Sequence, residues 1–122
     1  MDAKLQQRVQ RYGWDRAASD YEPLWEEQLA AARAPLLGGA ALVRGQAVLD
    51  VACGTGLVSF EAARAVGRSG RVLGTDISGE MVRATFGIGD KPSPPTPFDL
   101  SVVATHERRD QLRRAARSKS QR

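Results

Sequence analysis

"VLDVACGTG", residues 48–56, is the stretch on which the reading of this chain turns. Residues 47–52, AVLDVA, read as a buried strand, and Cys53 to Gly56 as a turn. Gly54 and Gly56 allow a sharp turn and let a ligand approach where a Cβ would collide. Residues 57–66, LVSFEAARAV, read as a helix whose N-terminal amides and positive dipole end face that turn. Against the pattern G-x-G-x-x-G, Gly54 and Gly56 match and Ser59 stands in the third place. Asp50 is the anomaly, a carboxylate inside the strand beside a loop that would otherwise suit a pyrophosphate.

Working outward, Gly67 is a C-terminal stop for the helix and Ser69-Gly70 a turn. Residues 71–75, RVLGT, read as a second strand that Asp76 ends. Ser78 suits the cap of a helix beginning near Gly79-Glu80. Strand, helix and strand within about thirty residues make a βαβ unit with parallel strands. Asp76 lies twenty residues after Gly56, where an acidic group accepts hydrogen bonds from ribose hydroxyls and repels a 2′-phosphate. Together these features favour an adenosine-type ligand. Asp50 then discriminates among such ligands. At about 5 Å and an effective dielectric near 20, a carboxylate and a phosphate repel by roughly 3 kcal/mol. S-adenosylmethionine has no phosphate and carries a sulfonium and an ammonium, so Asp50 attracts it.

VLDVACGTG followed by VLGTDISGEMV resembles the first two motifs of class I S-adenosylmethionine-dependent methyltransferases, closest to the small-molecule, ubiquinone-biosynthesis-like (type 11) group. The resemblance is specific over residues 46–83 and looser over 12–45. It implies a Rossmann-like α/β fold with a parallel sheet and flanking helices. It also implies roles: Asp50 for the methionine ammonium, through water; Ala52, Gly54 and Gly56 lining methionine and ribose; Asp76 on the ribose hydroxyls; Ile77 and Met81 against adenine. The family often has glycine where this chain has Ala52. The family's sheet has seven strands, whereas about three are legible here, so the chain reads as truncated after the second motif. Gly89-Asp90 followed by PFDLSVV faintly resembles the family's acidic loop and fourth strand. No residue is identified as a general base.

The chain divides into an N-terminal helical cap (1–45), a partial cofactor-binding domain (46–104) and a basic tail (105–122). Residues 3–12 read as a short helix or a frayed end. Within 15–34, Leu24, Trp25, Gln28, Leu29 and Ala32 keep helical spacing, with Pro23 in the first turn and Pro35 and Gly38-Gly39 closing it. Tyr12, Trp14, Tyr21 and Trp25 favour core or helix packing over a substrate lid. Residues 87–97 hold four of the six prolines and read as a linker or loop. Residues 98–104 read as a third strand and 107–117 as a short basic helix.

With 122 residues the chain fits one small domain. Residues 107–122 carry seven basic and two acidic residues, so the tail accounts for the net charge of +4 and the other 106 residues sum to −1. The tail lacks interleaved aromatics for stacking, which argues against nucleic acid. Cys53 and His106 are the only cysteine and histidine, so there is no intrachain disulfide and no Cys-based metal cluster, and a zinc site or serine triad would need more of these residues than the chain contains. No run approaches a membrane span and no secretory signal is legible, so a cytoplasmic setting is expected. The expected activity is methyl transfer to a small-molecule acceptor. The rivals are a cofactor-binding module without turnover, which an open sheet edge would favour as a homodimer, a nicotinamide oxidoreductase, and a nucleic-acid methyltransferase.

Overall fold

The computed structural model describes residues 2–85 and 99–105. The elements run α1 (Ala3–Ala40), β1 (Ala47–Val51), α2 (Leu57–Val66), β2 (Arg71–Asp76), α3 (Gly79–Thr85) and β3 (Asp99–Ala104). The three strands form one parallel sheet in the order β1-β2-β3. This is the α/β, Rossmann-like arrangement expected from the βαβ pattern. Residues 98–104 were expected as a strand, and the strand found there pairs with β2, from Arg71↔Asp99 to Asp76↔Ala104. It therefore occupies the third place in the sheet. The proline-rich stretch 87–97 with Asp90, His106 and the basic helix at 107–117 lie outside the described residues.

The N-terminal region differs from expectation. It is one helix of 38 residues that continues through Pro23 and Pro35. Its Asp2 side chain caps the start by accepting the Lys4 N–H at 3.0 Å. It ends on Ala41 in the left-handed region, whose N–H reaches the Gly38 and Leu37 carbonyls. Runs of Ala, Leu, Gln and Arg favour helix strongly enough to extend across the prolines. The expected core role of the aromatics is also corrected. Tyr12, Trp14, Leu24 and Trp25 are all exposed, and Ala18 alone is buried among the α1 residues. The helix touches α3 and, less extensively, α2, so a short stretch of its surface meets the domain.

The core lies between α2 and the sheet. Ala62, Ala63 and Val66 pack on Val72, with Leu42, Val48 and Leu100 around them. Strand alternation decides which residues reach it. Val48 and Asp50 on β1 and Val72, Gly74 and Asp76 on β2 face the helices, while Ala47, Leu49, Val51, Arg71 and Leu73 face away. Alanines at 62 and 63 bring α2 close to the strands, and they also keep the apolar burial small. Gly74 completes the approach, because a Cβ there would stand 3.0 Å from Cys53 Sγ and 3.1 Å from Ser59 Oγ.

Among the described residues no helix covers the opposite face of the sheet. Leu49 is 61%, Val51 71% and Leu73 40% exposed. Leu49 and Leu73 are register partners. Among the described residues no strand pairs with the outer edge of β1. Parallel sheets are ordinarily covered on both faces. No described helix is long and apolar enough to cross a membrane.

Candidate cofactor site

The loop after β1 is tied to the end of β2. Asp76 Oδ2 accepts the Gly54 N–H at 2.9 Å, and Asp76 Oδ1 accepts the Ser78 N–H at 2.8 Å. The Cys53 N–H adds a backbone bond to the Thr75 carbonyl at 2.9 Å. Asp76 is buried, and a carboxylate has about four acceptor positions, so capacity for further hydroxyl donors remains after these two bonds. Gly56 begins α2 in the left-handed region, at φ 86°. A Cβ on it would come within 2.6 Å of the Thr85 methyl, so both conformation and space require glycine there.

Asp50 meets a partner that the sequence did not reveal. Ser59 Oγ donates to Asp50 Oδ2 at 2.6 Å, and Ser59 is fully buried. Ser59 holds the place of the third glycine in a dinucleotide loop, where glycine lets helix and strand approach. Here Gly74 on β2 supplies that closeness from the strand side, which frees position 59 for a hydroxyl. Among the described residues, Asp50 Oδ1 has no protein donor.

An open cleft of about 220 Å³ lies between α1 and this loop. Asp50, Ala52, Cys53 and Gly54 form one wall with Leu57 and Val58, and Tyr21, Leu29, Arg33 and Leu36 from α1 form the other. Asp50, Ala52 and Gly54, expected at the site, are thus brought together on one cleft. Gly56 and Asp76 shape the loop from behind. Ile77 is half-buried and Met81 is 2% exposed, and neither lines the cleft. Of the four N-terminal aromatics, Tyr21 alone reaches it, held edge-on against Trp14 with ring centroids 6.1 Å apart.

Two contacts beside the Ser78 cap matter that sequence reasoning passed over, those of Asp15 and Arg33. Asp15 on α1 accepts from Ser78 Oγ at 2.5 Å and from the Glu80 N–H at 3.2 Å, so the long helix caps α3 across 63 residues of chain. Ser78 Oγ itself accepts the Met81 N–H, as the capping pattern predicted. Arg33 faces Glu61 on α2, with Nε to Oε1 at 3.3 Å. Only the Ser78 cap had a local signal; the other two are contacts between elements far apart in sequence.

Cys53 is buried, and its thiol is pushed up from 9.0 to about 12, first by burial and then by the carboxylates of Asp50 and Asp76. It is a neutral packing group at physiological pH, not a nucleophile.

A parallel βαβ unit whose glycine loop is flanked by one carboxylate in β1 and another at the end of β2 defines the cofactor-binding segment of class I S-adenosylmethionine-dependent methyltransferases. Comparison with known proteins agrees. Residues 48–92 match the family described as "Methyltransferase domain", so this segment of the chain is similar to that family. It is 38% identical over 63 residues to a probable cobalt-precorrin-6B C(15)-methyltransferase of Saccharolobus solfataricus, covering 52% of this chain and 30% of that protein. It is 58% identical over 38 residues to the nocamycin O-methyltransferase of Saccharothrix syringae, covering 31% and 14%. It is 49% identical over 45 residues to a 23S rRNA (uracil(1939)-C(5))-methyltransferase of Acinetobacter baylyi, covering 37% and 10%. The chain thus spans less than a third of the length of each of these relatives. Among solved structures, a chain of the complex containing the Haloferax volcanii Trm112 methyltransferase activator superposes with TM-score 0.56 at 22% identity. That match covers 75% of this chain and 38% of that one, and it speaks for the fold. A SAM-dependent methyltransferase from Aquifex aeolicus is 33% identical with TM-score 0.39, covering 43% and 28%.

Proposed function

We propose that the protein binds S-adenosylmethionine at the β1–α2 loop and serves methyl transfer to a small-molecule acceptor. The observation that carries the reading is the charge pattern around one glycine turn. Asp50 lines the cleft with Oδ1 free of protein donors, and Asp76 backs the turn with acceptor capacity to spare. That arrangement favours a ligand with a cationic end and a ribose, and disfavours a pyrophosphate.

Bound S-adenosylmethionine supplies an activated methyl group on a sulfonium. In this reading Asp50 holds the ammonium and Ser59 orients Asp50. Ala52 and Gly54 line the methionine and ribose, Gly56 shapes the turn behind them, and Asp76 takes the ribose hydroxyls; Ile77 and Met81, expected against adenine, do not line the cleft. The protein's contribution is chiefly positioning, which is worth several kcal/mol. An acceptor next to Tyr21, Leu29 and Leu36 would find a largely apolar wall, which is why a small apolar-bodied acceptor is preferred here over a polynucleotide. The relatives' names span a corrin carbon, an oxygen and a ribosomal uracil, so the acceptor must be found by experiment. Residues 1–45 are read as a cap over residues 46–104.

The test is thermal unfolding of the purified chain with S-adenosylhomocysteine, with NAD as control. Ligand at a hundred times its dissociation constant should stabilise the fold by about 2.7 kcal/mol. A shift with NAD alone would overturn the reading.

A second reading rests on the bare sheet face. Leu49, Val51 and Leu73 are exposed beside the open β1 edge. Pairing of two copies, or of this chain with a partner, through that edge would make it a cofactor-binding module without turnover. Sedimentation that shows a monomer at all concentrations would remove the homodimer.

A further inference from the structure

We infer that the uncovered face of the sheet, with the arginine-rich end it leads to, docks an acidic amphipathic helix of a partner protein. That surface lies away from the glycine loop and owes nothing to the cofactor reading. Its outward rows follow from the strand register. Ala47 stands beside Arg71, Leu49 beside Leu73 and Ser101, and Val51 beside Thr75 and Val103. Ala47, Leu49, Leu73 and Ser101 line an open groove of about 390 Å³, with Arg71 at its end. Four exposed arginines share that end: Arg44 before β1, Arg64 and Arg68 at the close of α2, and Arg71 opening β2. Backbone bonds hold these segments together, the Gly45 N–H on the Val66 carbonyl at 2.9 Å and the Arg71 N–H on the Gln46 carbonyl at 3.1 Å. The Arg44 guanidinium lies beside Gly67, which ends α2. Among the described residues none of the four arginines has an ion pair. Asp99, register partner of Arg71, is the one carboxylate that β3 brings to this end, so the arginines are in excess.

Three strands about 4.8 Å apart make a face about 10 Å across, the width of one helix. Two folded copies meeting only through it would fall short of the roughly 800 Å² per partner of a stable interface. The face is also not complementary to itself, because it offers the arginines of a second copy no cluster of carboxylates. A helix with apolar residues at i, i+3, i+4 and i+7 fills the groove between Leu49 and Leu73. Asp and Glu beyond that stripe then meet the guanidiniums, whose planar fork suits carboxylates. Single-stranded bases stack on aromatic rings, and the outward rows present Leu, Val, Ala, Ser and Thr instead, which favours protein over nucleic acid.

The experiment uses the full chain and two fluorescein-labelled helical peptides that share one leucine stripe. One carries a glutamate cluster beyond the stripe and the other carries lysines in the same places; binding is read by anisotropy. Wild type should bind the acidic peptide at least ten-fold more tightly than the basic one. Salt at about 1 M, where the screening length falls to about 3 Å, should remove most of that preference. Arg68→Glu combined with Arg71→Glu should reverse it, and Leu73→Gln should weaken both peptides at least five-fold, with unfolding midpoints as the folding control. Equal wild-type affinities, or no binding of either peptide, would overturn the inference without any variant. Tighter binding of a single-stranded RNA oligonucleotide that survives Leu73→Gln would overturn it and assign the arginines to nucleic acid. A dimer in sedimentation that Leu73→Gln dissolves would overturn it and assign the face to a second copy.

Discussion

Gly54 and Asp76 are joined directly, the loop N–H donating to the carboxylate at 2.9 Å across a sequence separation of 22 residues. The same carboxylate accepts the Ser78 N–H. Asp76 is thus both the candidate ribose acceptor and the tie that closes the loop onto β2. The sequence pattern exposed the first role only.

The double role makes a prediction. Asp76→Ala leaves two backbone N–H groups without their acceptor, at about 1–3 kcal/mol each where water cannot replace it. It should abolish binding of S-adenosylhomocysteine and also lower the unfolding midpoint. Denaturant unfolding beside calorimetry checks both. A variant with wild-type stability would show that the tie is dispensable.

Asp50 carries the argument about ligand charge. Asp50→Asn keeps the shape and the Ser59 contact but removes the charge. It should weaken S-adenosylmethionine by roughly ten-fold, about 1.4 kcal/mol, and leave neutral adenosine nearly unchanged. Equal losses for the two ligands, measured by titration, would refute an electrostatic role.

Ala52 sits at φ 59°, in the left-handed region where a Cβ is strained. Ala52→Gly should stabilise the fold by about 1 kcal/mol, read as a higher urea midpoint at unchanged slope. A lower midpoint would mean that the alanine methyl makes contacts worth more than the strain.

Cys53 gives a pH signature. Its folded-state pKa of about 12 lies above the ordinary 9.0, because burial and then Asp50 and Asp76 disfavour the thiolate. The protonated thiol is therefore favoured by folding. Its contribution is complete below pH 9 and is lost as pH rises toward 12. The stability difference between wild type and Cys53→Ala should shrink from pH 8 to pH 11. The native thiol should also resist a disulfide reagent at pH 8 until the chain unfolds.

Much of the site was legible in order along the chain. The strand at 47–52, the helix at 57–66, its Gly67 stop and the strand ending at Asp76 all follow from local pattern, and the structure has them within a residue. The N-terminal region was less legible. Pro23 and the Gly38-Gly39 pair read as boundaries, yet the helix runs through them and ends at Ala41. Helical spacing at Leu24 and Trp25 read as packing, but both side chains are exposed, and of that face Leu29 and Ala32 line the cleft.

The sequence by itself determined the βαβ unit, the glycine turn and the two carboxylates. Each depends on residues close together in the chain and on the fixed periodicities of strand and helix. Only the tertiary structure decided that Ser59 serves Asp50, that Gly74 stands in for a missing third glycine, and that Arg33 comes to the same cleft. Those relations depend on how a helix lies across a sheet, a geometry set by packing between distant segments and not by any local pattern.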